Sequence, residues 1–254
     1  MTFRRTVLRS SAAALFVSLA LAAPARAAET IVAVAANFTE AANEIADAFA
    51  QASGHSVTYS FGPTGQLYTQ ITQGAPFEVF LAADQARPEK AEAEGFDVAG
   101  SRFTYAVGRL VLWSADADMI DGTAAALTEG AFTHVAIANP ETAPYGAAAV
   151  EVMEALDIQE TLAPKIVQGK SISQAHQFVA TGNAELGFVA LSQVVNGDPG
   201  ARWTIPQDLY SPIRQDAVLL KTGGQSAAAA AYLDFLKGPE ARAIIEKYGY
   251  AAGD

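Results

Sequence analysis

Short runs rich in Val, Ile, Ala and Phe alternate with stretches of helical periodicity along this chain, and that alternation constrains the fold more than any single motif. A strand followed by a helix of 10–15 residues has enough chain to return and pair in parallel with the next strand. The result is a sheet covered on both faces. Thr30–Ala35 (TIVAVA) reads as the first strand, and helical periodicity follows at Ala41, Ile45, Ala48 and Phe49. Ser56–Phe61 is strand-like, Leu67, Ile71 and Gly74 mark the face and end of a second helix, Glu78–Ala83 is strand-like, and Glu89–Glu94 is helical. Arg102–Ser114 is long for one strand and contains Gly108, a length suited to crossing between two lobes. The alternation then restarts with a strand at Thr133–Ala138, helices at Gly146–Leu156 and Ile172–Thr181, and a strand at Glu185–Ala190. Asp216–Lys221 is the last strand, and Ser226–Lys237 and Pro239–Tyr248 are closing helices. The pattern predicts an α/β protein of two lobes, each a mainly parallel sheet flanked by helices, with extended crossing strands between them. A single doubly wound domain is the alternative.

The first 27 residues do not belong to that pattern. Arg4, Arg5 and Arg9 precede an apolar stretch, Ala12–Ala23, broken only by Ser18, and Ala25-Arg26-Ala27 offers small residues at a cleavage site. Twelve residues span about 18 Å as a helix, too short for a bilayer core of about 30 Å. We read 1–27 as a cleaved signal peptide for export, by the general secretory or the twin-arginine route (FRRTVL). Its removal takes four Arg and no acid, which moves the net charge from −11 to −15. So acidic a protein has no broad electrostatic footprint for nucleic acid. The chain has no Cys, which excludes disulfides, thiolate metal sites and a cysteine nucleophile.

The chemistry concentrates where strands give way to helices, where ligands of open α/β sheets bind. Four such turns stand out. Ala35-Ala36-Asn37-Phe38-Thr39-Glu40 offers Asn37 as a cap beside small residues, and Phe61-Gly62-Pro63-Thr64-Gly65-Gln66 sets a hydroxyl at or near an N-cap. Asn139–Gly146 carries Pro144, suited to the first helical position, and Tyr145 at the helix mouth with a donor O–H. Gly169-Lys170-Ser171-Ile172-Ser173 opens a helix with Ser171 as its simplest cap. Each turn alone is ordinary, and Tyr145 equally suits a lid on the core. Together they are four helix N-termini, two per predicted lobe, and no Asp or Glu falls within Gly62–Gln66 or Lys170–Gln174. Backbone N–H groups at helix starts hold an anion without a counter-cation, so a chain this acidic still suits a small oxyanion.

The segments VAVAANFTEA (32–41), SFGPTGQLYTQITQGAPFEVFLAADQ (60–85), NPETAPYGAAA (139–149), GKSISQAHQFVATGNAELGFVALSQV (169–194) and YLDFLKGPEARAIIEKYGY (232–250) resemble the periplasmic molybdate-binding proteins of ABC-type transporters. The resemblance covers essentially the whole chain after residue 27. It implies a type II periplasmic-binding-protein fold, with lobe 1 made of 28–105 plus 222–254 and lobe 2 of 106–221. It also implies a monomer that closes over molybdate or tungstate and hands it to a membrane permease, with no cofactor. Ligand positions carry over to Asn37, through side chain and backbone, with Ala36 beside it; to Thr64, through N–H and O–H; and to the backbone N–H groups of Tyr145 and Ile172. Where well-known members have a Tyr, this chain has Ala190, and the Tyr145 phenol is the expected replacement.

Two other functions compete. A hydrolase on a similar scaffold lacks a GxSxG turn, and His55, His134 and His176 stand in unrelated contexts. The pairs Glu92/Glu94 and Asp116/Asp118 read as solvated faces. A binding protein for sulfate or phosphate would satisfy the same donor logic. Ferric iron would favour clustered tyrosines, and Tyr59, Tyr68 and Tyr105 show no such spacing.

Overall fold

The computed structural model describes residues 27–197 and 199–253, so the expected signal peptide lies outside the described residues apart from its last residue. Eleven strands are β1 (Glu29–Ala35), β2 (Ser56–Gly62), β3 (Val79–Leu81), β4 (Phe103–Gly108), β5 (Leu110–Ser114), β6 (Val135–Ala138), β7 (Ile166–Gly169), β8 (Leu186–Ala190), β9 (Ala201–Thr204), β10 (Ile213–Leu219) and β11 (Ala251–Ala252). The helices that matter most here are α1 (Thr39–Ser53), α2 (Thr64–Thr72), α3 (Ala86–Ala93), α4 (Pro144–Ala155) and α5 (Ile172–Ala180). The strands form two sheets, in the orders β2-β1-β3-β10-β4-β11 and β7-β6-β8-β5-β9.

Parallel pairing is confined to the βαβ units. β1 lies parallel to β2 along its full length, from Glu29 opposite Ser56 to Ala35 opposite Gly62, and parallel to β3 on its other side. β6 is likewise parallel to β7 and β8. The run Val32–Ala35 is buried because it sits between two strands and under helices on both faces, and for that reason it reads as continuously apolar. α1 turns Ala41, Ala42, Ile45 and Phe49 inward at helical spacing and ends at Gly54, whose φ of 72° is open to glycine without a Cβ penalty. Burying Ile45 and Phe49 contributes about 1.5–3 kcal/mol each.

The Arg102–Ser114 run does cross between the sheets: β4 belongs to the first and β5 to the second. The chain returns through β10, which pairs antiparallel with β3 and β4. Both sheets are therefore mixed, and every antiparallel pair includes β4, β5 or β10, the strands on either side of the crossing. Sheet membership also draws a boundary different from 106–221. The last strand, expected in the second lobe, lies in the first sheet, and β4 reaches Gly108 before leaving it. An apolar pattern such as DAVLLK suits either sheet, and pairing to β3 and β4 decides.

The two crossing strands are pinned together by a buried carboxylate. Asp216, 1% exposed, accepts from Arg102 Nη1 at 2.8 Å and from Thr104 Oγ1 at 2.7 Å. Beside it the register shifts, so that Gln215 opposes Ala106 while Asp216 opposes Thr104. The residue thus left over, Tyr105, points its hydroxyl at the Ala82 carbonyl (3.1 Å) and Gln215 Oε1 (3.2 Å), an example of a bulge re-aiming a side chain.

Gly108 sits where the crossing is tightest. A Cβ there would lie 2.0 Å from the Tyr145 hydroxyl and 2.7 Å from Gln215 Nε2. Gly108→Ala is expected to lower unfolding free energy by about 1–3 kcal/mol through overpacking. Urea denaturation checks this, and unchanged stability would show that the crossing yields without strain.

Candidate functional site

The five residues singled out in the sequence, Ala36, Asn37, Thr64, Tyr145 and Ile172, line one small cavity between the two sheets. They come from four chain segments. Ala36 and Asn37 lie in a 3-10 turn, Ala36–Phe38, that joins β1 to α1. Thr64 is the first residue of α2, Tyr145 follows Pro144 at the start of α4, and Ile172 is the first residue of α5. Ala35, Gly62, Pro63, Ala83, Ala143 and Pro144 complete the lining and keep it small. The first N–H groups of a helix have no intrahelical acceptor, so those of Asn37, Thr64, Tyr145 and Ile172 are the natural donors of this cavity. Among the described residues no charged side chain lines it.

One local reading changes. Asn37 does not cap: the 3-10 turn has no side-chain cap, and the Asn37 amide donates instead to Gln215 Oε1 at 2.8 Å and to the Tyr250 hydroxyl at 3.0 Å. Thr64 lies next to the N-cap of α2, Pro63, within the expected reading, and its hydroxyl accepts from the Ala83 N–H at 3.0 Å. Its O–H proton remains to donate. Pro144 does hold the first helical position, and Ser171 does cap α5, accepting from the Gln174 N–H at 3.2 Å.

The Tyr145 ring is 1% exposed, and its hydroxyl accepts from Gln215 Nε2 at 3.3 Å. Around it lies a buried polar network that joins Gln215 of β10 to Asn37, Ser192 and Tyr250 from other segments. Tyr250 donates to the Asn37 carbonyl at 2.7 Å and is 3.0 Å from Ser192 Oγ, which itself donates to that carbonyl at 2.8 Å. Sequence reasoning missed Gln215, Ser192 and Tyr250 altogether, and it weighed Tyr105 only as part of an iron cluster. None carries a local motif; the crossing of β4 and β10 gathers them from distant parts of the chain.

Direct contacts close the lobes over the cavity. The Gly65 N–H donates to the Thr142 carbonyl at 2.9 Å, Ser173 Oγ to the Ala36 carbonyl at 3.2 Å, and Arg87 Nη2 to the Glu141 carbonyl at 2.8 Å. Arg87 is held for this by Asp84, at 2.6 Å. The histidines serve elsewhere: His55 Nδ1 accepts from the Ala28 N–H, the His134 N–H donates to Glu185, and the His176 ring stacks on Trp113 at 4.8 Å.

The model of the family described as bacterial extracellular solute-binding protein matches residues 30–251. The chain belongs to that family. Solute-binding proteins of this kind serve transporters and are not enzymes, so the hydrolase reading falls away. This solute-binding protein is 64% identical over 243 residues to the molybdate-binding protein ModA of Rhodobacter capsulatus, covering 96% of each chain. It is 60% identical over 233 residues to a ModA of Azotobacter vinelandii, covering 91% of this chain and 92% of that one. Among solved structures, the periplasmic molybdate-binding protein of Azotobacter vinelandii superposes with a TM-score of 0.86 at 41% identity, covering 89% of this chain and all of the other. The two-lobed fold expected from the sequence is therefore the fold of its relatives.

Burial raises the Tyr145, Tyr105 and Tyr250 phenols above their ordinary range. A folded-state pKa above the unfolded value contributes stability that is fully present below the unfolded pKa of about 10 and is lost as pH rises beyond it. These groups are therefore silent between about pH 6 and about pH 9. Above about pH 10 the solute-binding protein should unfold progressively as the exposed phenols ionise. Denaturant titrations across that range, with Tyr250→Phe in parallel, check this. The variant should show a shallower alkaline loss, and an identical slope would contradict the assignment.

Proposed function

We propose that this solute-binding protein captures molybdate, and tungstate with it, in the cavity between its lobes and delivers it to the membrane permease of an ABC transporter. One observation carries the reading: helix-start donors from both lobes converge on a small cavity without charged walls, in a chain 60–64% identical to molybdate-binding proteins. A tetrahedral dianion needs several donors spread around it, and neutral N–H and O–H groups supply them without a titratable partner.

In this reading the backbone N–H groups of Asn37, Thr64, Tyr145 and Ile172 and the Thr64 O–H face the oxyanion, with Ala36 giving room beside Asn37. The Tyr145 hydroxyl accepts from Gln215 and gives its proton to the Tyr250 hydroxyl, which favours the backbone as the Tyr145 donor, with its phenol bracing the wall. Each hydrogen bond to a charged group contributes about 1.5–3 kcal/mol. Five such bonds offset desolvation and leave affinity tighter than about 1 μM. The protein works as a monomer in the periplasm, reached through the cleavable segment 1–27, and no nucleic acid or cofactor takes part.

Ligand that binds only the folded state stabilises it, by about 2.7 kcal/mol at 100 times Kd. Thermal unfolding with molybdate, tungstate, sulfate, phosphate and amino acids is expected to show a clear rise for the first two and a far smaller one for sulfate. A rise with sulfate or an amino acid and none with molybdate would overturn the assignment.

The α5 mouth has its own test. Ile172→Ala keeps the N–H and is expected to bind molybdate almost normally. Ile172→Pro removes that donor at a position where the helix tolerates proline, so affinity should fall by at least about 1.5 kcal/mol. Calorimetry on both variants, each verified as folded by circular dichroism, decides; equal affinity in the proline variant would remove Ile172 from the site.

A further inference from the structure

Asn37 lines the cavity, yet both protons of its amide are spent away from it, one on Gln215 Oε1 and one on the Tyr250 hydroxyl. That leaves the amide oxygen as the end without a described partner, and an oxygen offers an oxyanion only repulsion. Every partner of this amide is itself a donor and an acceptor. Gln215, 0% exposed, accepts from Asn37 and from the Tyr105 hydroxyl on its oxygen side and donates to the Tyr145 hydroxyl on its nitrogen side. Tyr105 has a second acceptor in the Ala82 carbonyl. The Asn37 carbonyl has a second donor in Ser192, independent of Tyr250.

Turning both amides end for end preserves the network. Gln215 Nε2 would then donate to Asn37 Oδ1 and to the Tyr105 oxygen, while Tyr105 donates to Ala82. Gln215 Oε1 would accept from the Tyr145 O–H, and the Tyr250 O–H would move to Asn37 Oδ1, with Ser192 alone serving the Asn37 carbonyl. Each buried group keeps at least one partner, Tyr145 exchanging its bond to Tyr250 for one to Gln215, and the Asn37 NH₂ becomes free to donate into the cavity. Buried polar groups tolerate rearrangement only on that condition.

We propose that Gln215 is a positioning residue that sets the donor polarity of the site: oxyanion binding turns the Asn37 and Gln215 amides together. Only a side chain carrying both a donor and an acceptor supports the two orientations. The inference rests on the molybdate reading above, and binding by the wild-type protein tests that reading separately.

Nuclear magnetic resonance of the full-length mature protein with ¹⁵N-labelled side-chain amides reads the turn directly. Without ligand the Gln215 Nε2 protons should contact the Tyr145 ring; saturated with molybdate they should contact Tyr105 and Asn37. Unchanged contacts in a sample that binds molybdate would overturn the proposal. A double-mutant cycle reads it functionally. Gln215→Glu accepts but cannot donate, so it holds the Asn37 protons inward; Gln215→Met keeps the volume and does neither. The glutamate variant should weaken molybdate binding by roughly 10- to 100-fold, more than the methionine variant. In an Asn37→Ala background the glutamate penalty should shrink to what its charge alone imposes. An equal penalty in both backgrounds, or wild-type affinity in Gln215→Glu, would show that Gln215 does not act through Asn37.

Discussion

The first N–H groups of a helix cannot be satisfied inside that helix, and the architecture is arranged around four sets of them. Three belong to α2, α4 and α5, and the fourth to the 3-10 turn that leads into α1. Parallel βαβ units deliver helix starts at the carboxyl end of a sheet, so each lobe contributes two without special design. Facing the lobes toward each other converts four local obligations into one shared cavity. Small residues around it let main chains approach, and the absence of charged walls leaves the donors to determine what enters.

That arrangement separates the charge of the surface from the chemistry of the site. Residues 28–254 carry a net charge of −15, which repels anions at long range only within a Debye length of about 8 Å in physiological salt. Inside the cavity the local dipoles act at contact distance, where screening by salt is weak. An acidic exterior and a proposed anion site are therefore compatible.

The crossing of β4 and β10 carries a second role. Asp216 with Arg102 and Thr104 fastens these strands within the first sheet, and Gln215 beside it places a buried polar network against the back of the cavity. The register shift beside Gln215 and the bare Cα of Gly108 make space for Tyr105 and Tyr145 there. Gln215, in the first sheet but outside the cavity lining, bonds Asn37 from its own lobe and Tyr145 from the other, and so links the two walls from behind.

The sequence by itself determined the local units. The apolar run Val32–Ala35, the 3.6-residue spacing of Ala41, Ile45 and Phe49, Pro144 at a helix start and Ser171 as a cap are all set by contacts within a few residues. The family resemblance, carried by long ordered segments, pointed to the residues that line the cavity. Only the tertiary structure decided which sheet β10 joins, because its apolar pattern suits either. It also decided what the polar side chains do. Asn37 as a cap was a sound local expectation, but a partner 178 residues away, Gln215, offered a better bond, and the Thr64 hydroxyl beside its N-cap turns to Ala83, 19 residues away. Ser192 and Tyr250 sit in stretches with no chemical signature, and they meet Asn37 only because two crossing strands bring distant segments within hydrogen-bond reach. Periodicity reports contacts along a helix or a strand; it contains nothing about hydrogen bonds formed when separate lobes close.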